Sequence, residues 1–389
     1  MPFLIGGIIT AGTKEYIERF GSVTFDEFPF CEADATLLSQ MIYMPLEWVK
    51  SDEFVDNPPT IADVCEQIMP QFGGKPQKLG LMIPADAGKR LVSMAAGARY
   101  QNVKVAAVSS YNSTSPAVQF GAGSFILPDG TNAIVFRGTD DTLFGWKEDL
   151  DLLLHKGIPS YSLALDFLEK AAAKYGGPIM LIGHSKGGNI ALYTALNCSA
   201  EIRSRLSYIF NADGPGYYDA SVLDTEAYKE ILPVYHHFIP SGSMIGVMLS
   251  HDSDYTPIRS TRHIGALQHD LGTWKIEGGS LLTAPDTDYL SKLTEYFISA
   301  VIEKVSSGYP EAADTVISKV MEGIGEATIT DVVMHLGSAV KGGIDAWKNI
   351  DPVIKEQFSA TFSGSLKALG EGAKALKGKV PLKTVLGKF

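Results

Sequence analysis

The segment Gly183-His184-Ser185-Lys186-Gly187 sets one serine between two glycines, directly after the apolar run Ile179-Met180-Leu181-Ile182. The residues behind it, Asn189-Ile-Ala-Leu-Tyr-Thr-Ala-Leu196, carry helical spacing. A serine at a strand-to-helix turn is held strained and exposed, and only small neighbours such as Gly183 and Gly187 permit that turn. The helix then points its positive end and its free N–H groups at whatever the serine attacks. The chemistry this suggests is nucleophilic catalysis by Ser185.

Such a serine needs a base, a group that orients the base, and donors for the oxyanion. The chain has eight histidines. His184 adjoins the serine and is read as pointing away from it, a pocket residue and not the base. His155 and His335 fall in helical stretches, and His236 and His237 share one strand. His251, His263 and His269 remain, all in a loop-rich region after the last core strands. The order nucleophile, acid, then histidine on a late loop favours His269, with His263 second.

For the acid, Asp213 in Asn211-Ala-Asp-Gly-Pro-Gly-Tyr217 follows the strand after the serine's helix. Its Gly-Pro turn can aim a carboxylate along the sheet edge. Asp252 and Asp254 are the alternatives. Lys186, next after the serine, is expected to offer its backbone N–H to the oxyanion. A second donor is expected from Val135-Phe-Arg-Gly-Thr-Asp-Asp141, where Gly138 allows close approach and Thr139 brings an N–H and a hydroxyl. Phe144-Gly-Trp-Lys-Glu-Asp-Leu-Asp151 reads as a helix N-terminus with favourable early acids. Its carboxylates lack the alternating spacing of a calcium loop. Trp146 is placed at the substrate pocket, with plain packing as the alternative. The reading calls for no metal and no cofactor.

The elements that must hold these residues follow from hydrophobic periodicity. Ala35 to Tyr43 reads as a helix, residues 103–109 and 118–127 as strands, and Pro128-Asp-Gly-Thr131 as a turn before the strand Ala133–Phe136. A helix through Leu163–Tyr175 closes on Gly176-Gly177. Strands near Tyr208–Asn211 and Val234–Ile239 follow the serine's helix. Strands separated by helices indicate an α/β fold with a mainly parallel sheet, helices on both faces, and a ligand site beyond the carboxyl ends of the strands. From residue 284 helical patterns dominate, over Asp288–Val305, Ala312–Gly323 and Ile329–Trp347. The division expected is a catalytic domain over 1–283 and a helical C-terminal extension over 284–389.

Phe136-Arg-Gly-Thr-Asp-Asp-Thr-Leu-Phe-Gly-Trp-Lys-Glu-Asp149, joined to Gly183-His-Ser-Lys-Gly-Gly-Asn189, resembles a bacterial family of α/β-hydrolases related to the class 3 lipases. Thr24-Phe-Asp-Glu-Phe-Pro-Phe30 with Asp34, and Gln268-His-Asp270, share that resemblance, which covers roughly residues 20 to 280. It implies an α/β-hydrolase fold and a lipase-like serine esterase, with Ser185 as nucleophile, His269 as base and Thr139 in the oxyanion hole. Class 3 lipases carry their acid in an Asp-x-Val-Pro segment after the following strand. The matching segment here, Ile239-Pro-Ser-Gly-Ser-Met244, has no carboxylate, so the acid role passes to Asp213.

The function expected is hydrolysis of a carboxylic ester, of a lipid or other acyl group, through an acyl-enzyme. A thioesterase or peptidase with the same triad is the alternative. A second is a catalytically silent protein that binds membrane or a partner. A net charge of -11 argues against nucleic-acid binding. Residues 360–389 hold six lysines and one glutamate. They read as a solvated tail or as an amphipathic segment in peripheral contact with anionic lipid. Cys31, Cys65 and Cys198 are odd in number and widely spaced, and read as buried thiols of a reducing compartment. With no basic start before the apolar N-terminus, a cytoplasmic location is expected.

Overall fold

Short apolar runs build the strands at the centre of the chain, and a computed structural model describes residues 9–74, 86–154, 157–250, 255–263, 265–288, 291–295, 310–325, 328, 331 and 335–360. A small sheet joins β1 (Ile9–Thr10) to β9 (Ile276–Glu277) and β10 (Ser280–Leu281). The large sheet has seven strands, with β2 (Lys104–Thr114), β3 (Ala117–Ile126), β4 (Asn132–Phe136), β5 (Ile179–His184), β6 (Leu206–Ala212), β7 (Tyr235–Pro240) and β8 (Thr256–Ile258) lying side by side in chain order. β2, β3 and β4 pair antiparallel as a meander. From β4 to β8 every pairing is parallel, so the sheet is mostly parallel as expected.

Side chains alternate across this sheet with the two-residue period of a strand. Ala133, Val135, Ile182 and Phe210 enter one apolar layer; Ile134, Phe136, Leu181 and Ile209 enter the other. The first layer is covered by α1 (Thr13–Phe20), α2 (Glu32–Met41), α3 (Ile61–Ile68) and α4 (Ala87–Ala96). After β4 come α5 (Leu143–Leu154) and α6 (Ser160–Lys174), and after β5 comes α7 (Lys186–Asn197), then the short α8 (Ala200–Arg203). With α9 (Glu226–Ile231), α6 and α7 cover the second layer. Burial on both faces explains why the central parallel strands read as continuous apolar runs.

α2 is buried along nearly its whole length, Asp34 included. That carboxylate accepts two bonds from Arg99 (2.8 and 2.6 Å) and one from the Tyr100 hydroxyl (2.5 Å). Arg99 in turn donates to the carbonyls of Val23, Phe28 and Pro29. The Thr24–Phe30 motif is thus a loop wrapped around one buried guanidinium.

α6 begins at Ser160, ahead of the expected start at Leu163. The Glu148 carboxylate accepts from the Ser160 N–H at 3.1 Å and so satisfies a first-turn donor. α10 (Pro310–Ile324) and α11 (Leu336–Lys348) form a helical pair, and α10 leans on α5 through a Lys147–Asp314 ion pair of 2.7 Å. The expected helix Asp288–Val305 is described, as helix, only over 291–295. That over Ile329–Trp347 starts at Leu336 as an element, with residues 329, 330 and 332–334 outside the described set. Residues 360–389 lie outside it but for Ala360. Cys65 and Cys198 are buried and free, whereas Cys31 is only half-buried. Among the described residues, no helix is long and apolar enough to cross a membrane.

Candidate active site

Ser185 is the single residue between β5 and α7, with φ 57° and ψ -131°. A non-glycine residue held there costs on the order of 1–3 kcal/mol and persists only where its surroundings fix it. Two glycines make the fixing possible. A Cβ on Gly183 would collide with the Gly187 carbonyl. One on Gly138 would collide with the Tyr43 hydroxyl and come within 3.0 Å of the Ser185 Cβ. Gly138 therefore brings the loop after β4 against the serine turn.

Asp213 leaves the end of β6 with φ 50°, and it is wholly buried. Its Oδ2 lies 2.7 Å from Nδ1 of His269. Its Oδ1 accepts from the Ser243 hydroxyl and from the Gly246 N–H at 3.0 Å. The 239–244 segment, which lacks a carboxylate, thus supplies a donor to one. The His269 side chain keeps 25% of its surface exposed, so it opens toward the pocket that Ser185 also lines.

His184 packs its ring 4.3 Å from that of His269. Its Nε2 lies 2.9 Å from the His269 carbonyl and its Nδ1 lies 3.0 Å from the Tyr43 hydroxyl. Burial, with the His269 charge adding to it, pushes the His184 pKa well below the usual histidine value. A neutral ring facing a carbonyl must carry its proton on Nε2, so Nδ1 accepts from Tyr43. His184 thus braces the backbone of His269.

On the other side of Ser185, the Thr139 hydroxyl donates to both Asp149 oxygens, at 2.7 and 2.6 Å. The hydroxyl expected to face the oxyanion is therefore engaged. Among the described residues, the N–H groups of Thr139 and Lys186 have no hydrogen-bond partner. Burial raises the Asp149 carboxyl to about 6, with the Lys186 charge and the Thr139 hydrogen bond opposing the rise. The acidic run after Trp146 is not a helix N-terminus. α5 begins at Leu143, so Glu148, Asp149 and Asp151 fall in its middle and last turns, and the first turn has no acid. Glu148 is fully buried against the Lys186 ammonium at 2.7 Å.

Ser185 and His269 share a cavity of about 310 Å³ whose other walls are chiefly apolar, among them Trp146, Leu150, Leu153, Met244, Ile245 and Met248. Trp146 and His184 both line it. A larger cleft of about 610 Å³ on the outer face of α5 holds none of the residues expected to react. Among the described residues no group of histidine, cysteine and carboxylate side chains is arranged to hold a metal.

Ser185, His269, Thr139, Lys186, Trp146 and His184 thus line one cavity, and Asp213 lies buried behind it against His269. His263 is exposed and lines a separate surface depression. His251, Asp252, Asp254 and His155 lie outside the described residues. Tyr43, Asp149, Ser243 and the 244–248 wall did not emerge from the sequence. Only the lysine after the serine carried a signal, since a buried ammonium demands a carboxylate.

The profile of the family described as Mbeg1-like matches residues 94–317, more than half of the chain. No curated protein and no solved structure matches it.

Proposed function

The chain belongs to the Mbeg1-like family, and from that premise and the geometry of the site we propose that it is a serine hydrolase of the α/β-hydrolase fold. Its substrates are carboxylic esters with an apolar acyl group. The observation that carries this reading is the buried Asp213 carboxylate 2.7 Å from His269 Nδ1, with that imidazole lining the same cavity as a strained Ser185. The resemblance of the loop after β4 and of the serine turn to a bacterial family of α/β-hydrolases supports it.

In this mechanism the Ser185 hydroxyl attacks the ester carbonyl as His269 Nε2 takes its proton. Asp213 holds Nδ1–H and stabilises the imidazolium. The N–H groups of Thr139 and Lys186 receive the oxyanion. Collapse of the tetrahedral intermediate breaks the bond to the alcohol oxygen, which leaves with the proton from His269. Water, deprotonated by the same imidazole, then releases the acid. The apolar cavity walls suit an apolar acyl chain.

The catalytic unit is proposed to span 1–283, with 284–389 as a helical extension. Contact of residues 360–389 with anionic lipid is part of the same proposal. Turnover of a p-nitrophenyl ester by Ser185→Ala protein tests the enzyme reading. Loss of hydrolysis with an unchanged thermal midpoint is expected. Hydrolysis at the wild-type rate would refute it.

A further inference from the structure

Lysine is an expensive residue to place directly after a nucleophile and then bury. The Lys186 side chain keeps only 1% of its surface exposed, and its ammonium uses all three donors. It donates to Glu148 Oε2 at 2.7 Å, to the Gln119 carbonyl at 2.7 Å and to Gln119 Oε1 at 2.9 Å. Glu148 is equally satisfied. Its Oε2 also accepts from the Gln119 N–H at 3.0 Å. Its Oε1 accepts from the Ser160 N–H at 3.1 Å and the Ser160 hydroxyl at 2.6 Å. One buried polar knot thus ties together β3, the middle of α5 and the first residues of α6 and α7.

Both ends of this knot are one step from the oxyanion donors. Lys186 carries one of the free N–H groups on its own backbone. Glu148 immediately precedes Asp149, whose carboxyl holds the Thr139 hydroxyl. The Lys186 N–H is the first of α7 and has no intrahelical acceptor, so the helix ladder does not fix its direction. We propose that the Lys186–Glu148 ion pair is a positioning device that sets the separation and aim of the two oxyanion donors, Lys186 N–H and Thr139 N–H. The side chains of Lys186 and Glu148 act as positioning residues and touch no substrate atom.

Stability alone gives little reason for such a pair. Apolar residues in place of a buried ion pair are often neutral or stabilising, because desolvation offsets the attraction. What directional hydrogen bonds add is fixed geometry, and oxyanion stabilisation depends on donors set in advance of the reaction. The inference rests on the esterase reading of Ser185.

The test compares wild type, Lys186→Met, and the neutral pair Lys186→Met/Glu148→Gln by thermal midpoint, kcat and KM on a p-nitrophenyl ester. Fluorophosphonate labelling of Ser185 is followed in each. Lys186→Met alone strands a buried carboxylate, and a lower midpoint is expected. In the double variant no unpaired charge stays buried: the amide oxygen introduced at position 148 can still accept from Ser160, while the Gln119 N–H loses its acceptor, so the midpoint should return part of the way toward wild type. If the pair positions the oxyanion donors, kcat in that refolded double variant stays about a hundredfold down while KM changes little. A double variant that recovers both midpoint and kcat overturns the inference and leaves the esterase reading standing. A wild-type protein that neither turns over nor takes the label at Ser185 overturns both.

Discussion

Asp149→Asn isolates the electrostatic cost of one carboxyl beside the candidate nucleophile. Burial raises this group from 3.8 to about 6, so the fold favours its neutral form. A shift of about two units corresponds to about 3 kcal/mol at most. Asp149 keeps part of its surface open to the cavity, and that figure is an upper bound. The stability associated with the neutral acid is complete below the unfolded value, falls as pH rises through about 6, and is gone above it. Asparagine does not titrate, and its Oδ1 still accepts from Thr139. Relative to the variant, wild type should therefore lose about 2 kcal/mol between about pH 4.5 and 8. Denaturant unfolding of both proteins at the two pH values measures this, because all other titrations cancel in the difference. A wild-type-minus-variant difference that stays constant within about 0.5 kcal/mol would refute the raised carboxyl.

Asp213→Asn should leave the fold intact and lower kcat by about four orders of magnitude, since the amide favours the wrong imidazole tautomer. Steady-state kinetics on a short ester checks this, and an unchanged kcat would remove Asp213 from the site. Asp34→Ala strands the buried Arg99 guanidinium and should destabilise the protein by about 3–5 kcal/mol, read by denaturant unfolding. Ile245→Trp fills the cavity wall, so KM for long-chain esters should rise while short-chain turnover survives. Equal effects on both would place the acyl chain elsewhere. Removing residues 360–389 should abolish pelleting with anionic vesicles, and equal pelleting of both proteins would end the lipid proposal.

Much of the sheet was legible because its strands are local apolar runs bounded by glycines and turn residues. The serine turn was legible for the same reason: Gly183, Ser185 and Gly187 are adjacent in the chain. Asp213 emerged because a Gly-Pro turn follows a strand end. What stayed hidden depends on contacts distant in sequence. Tyr43 reaches His184 across 141 residues, and Glu148 reaches Lys186 across 38. The acidic run after Trp146 suggested a helix start because acids favour first turns. Its carboxylates instead serve the interior, where Lys186 and Thr139 outweigh the helix dipole. The Thr24–Phe30 motif gave no clue to its role, because its partner is the guanidinium of Arg99, supplied after α4.

In the proposed mechanism His269, held by Asp213, activates Ser185. Mass spectrometry of wild-type and His269→Ala protein after brief exposure to a fluorophosphonate tests it most directly. One adduct on the peptide containing Ser185 is expected in wild type and almost none in the variant. An unlabelled but folded wild type, an adduct on another residue, or equal labelling of the variant would contradict it.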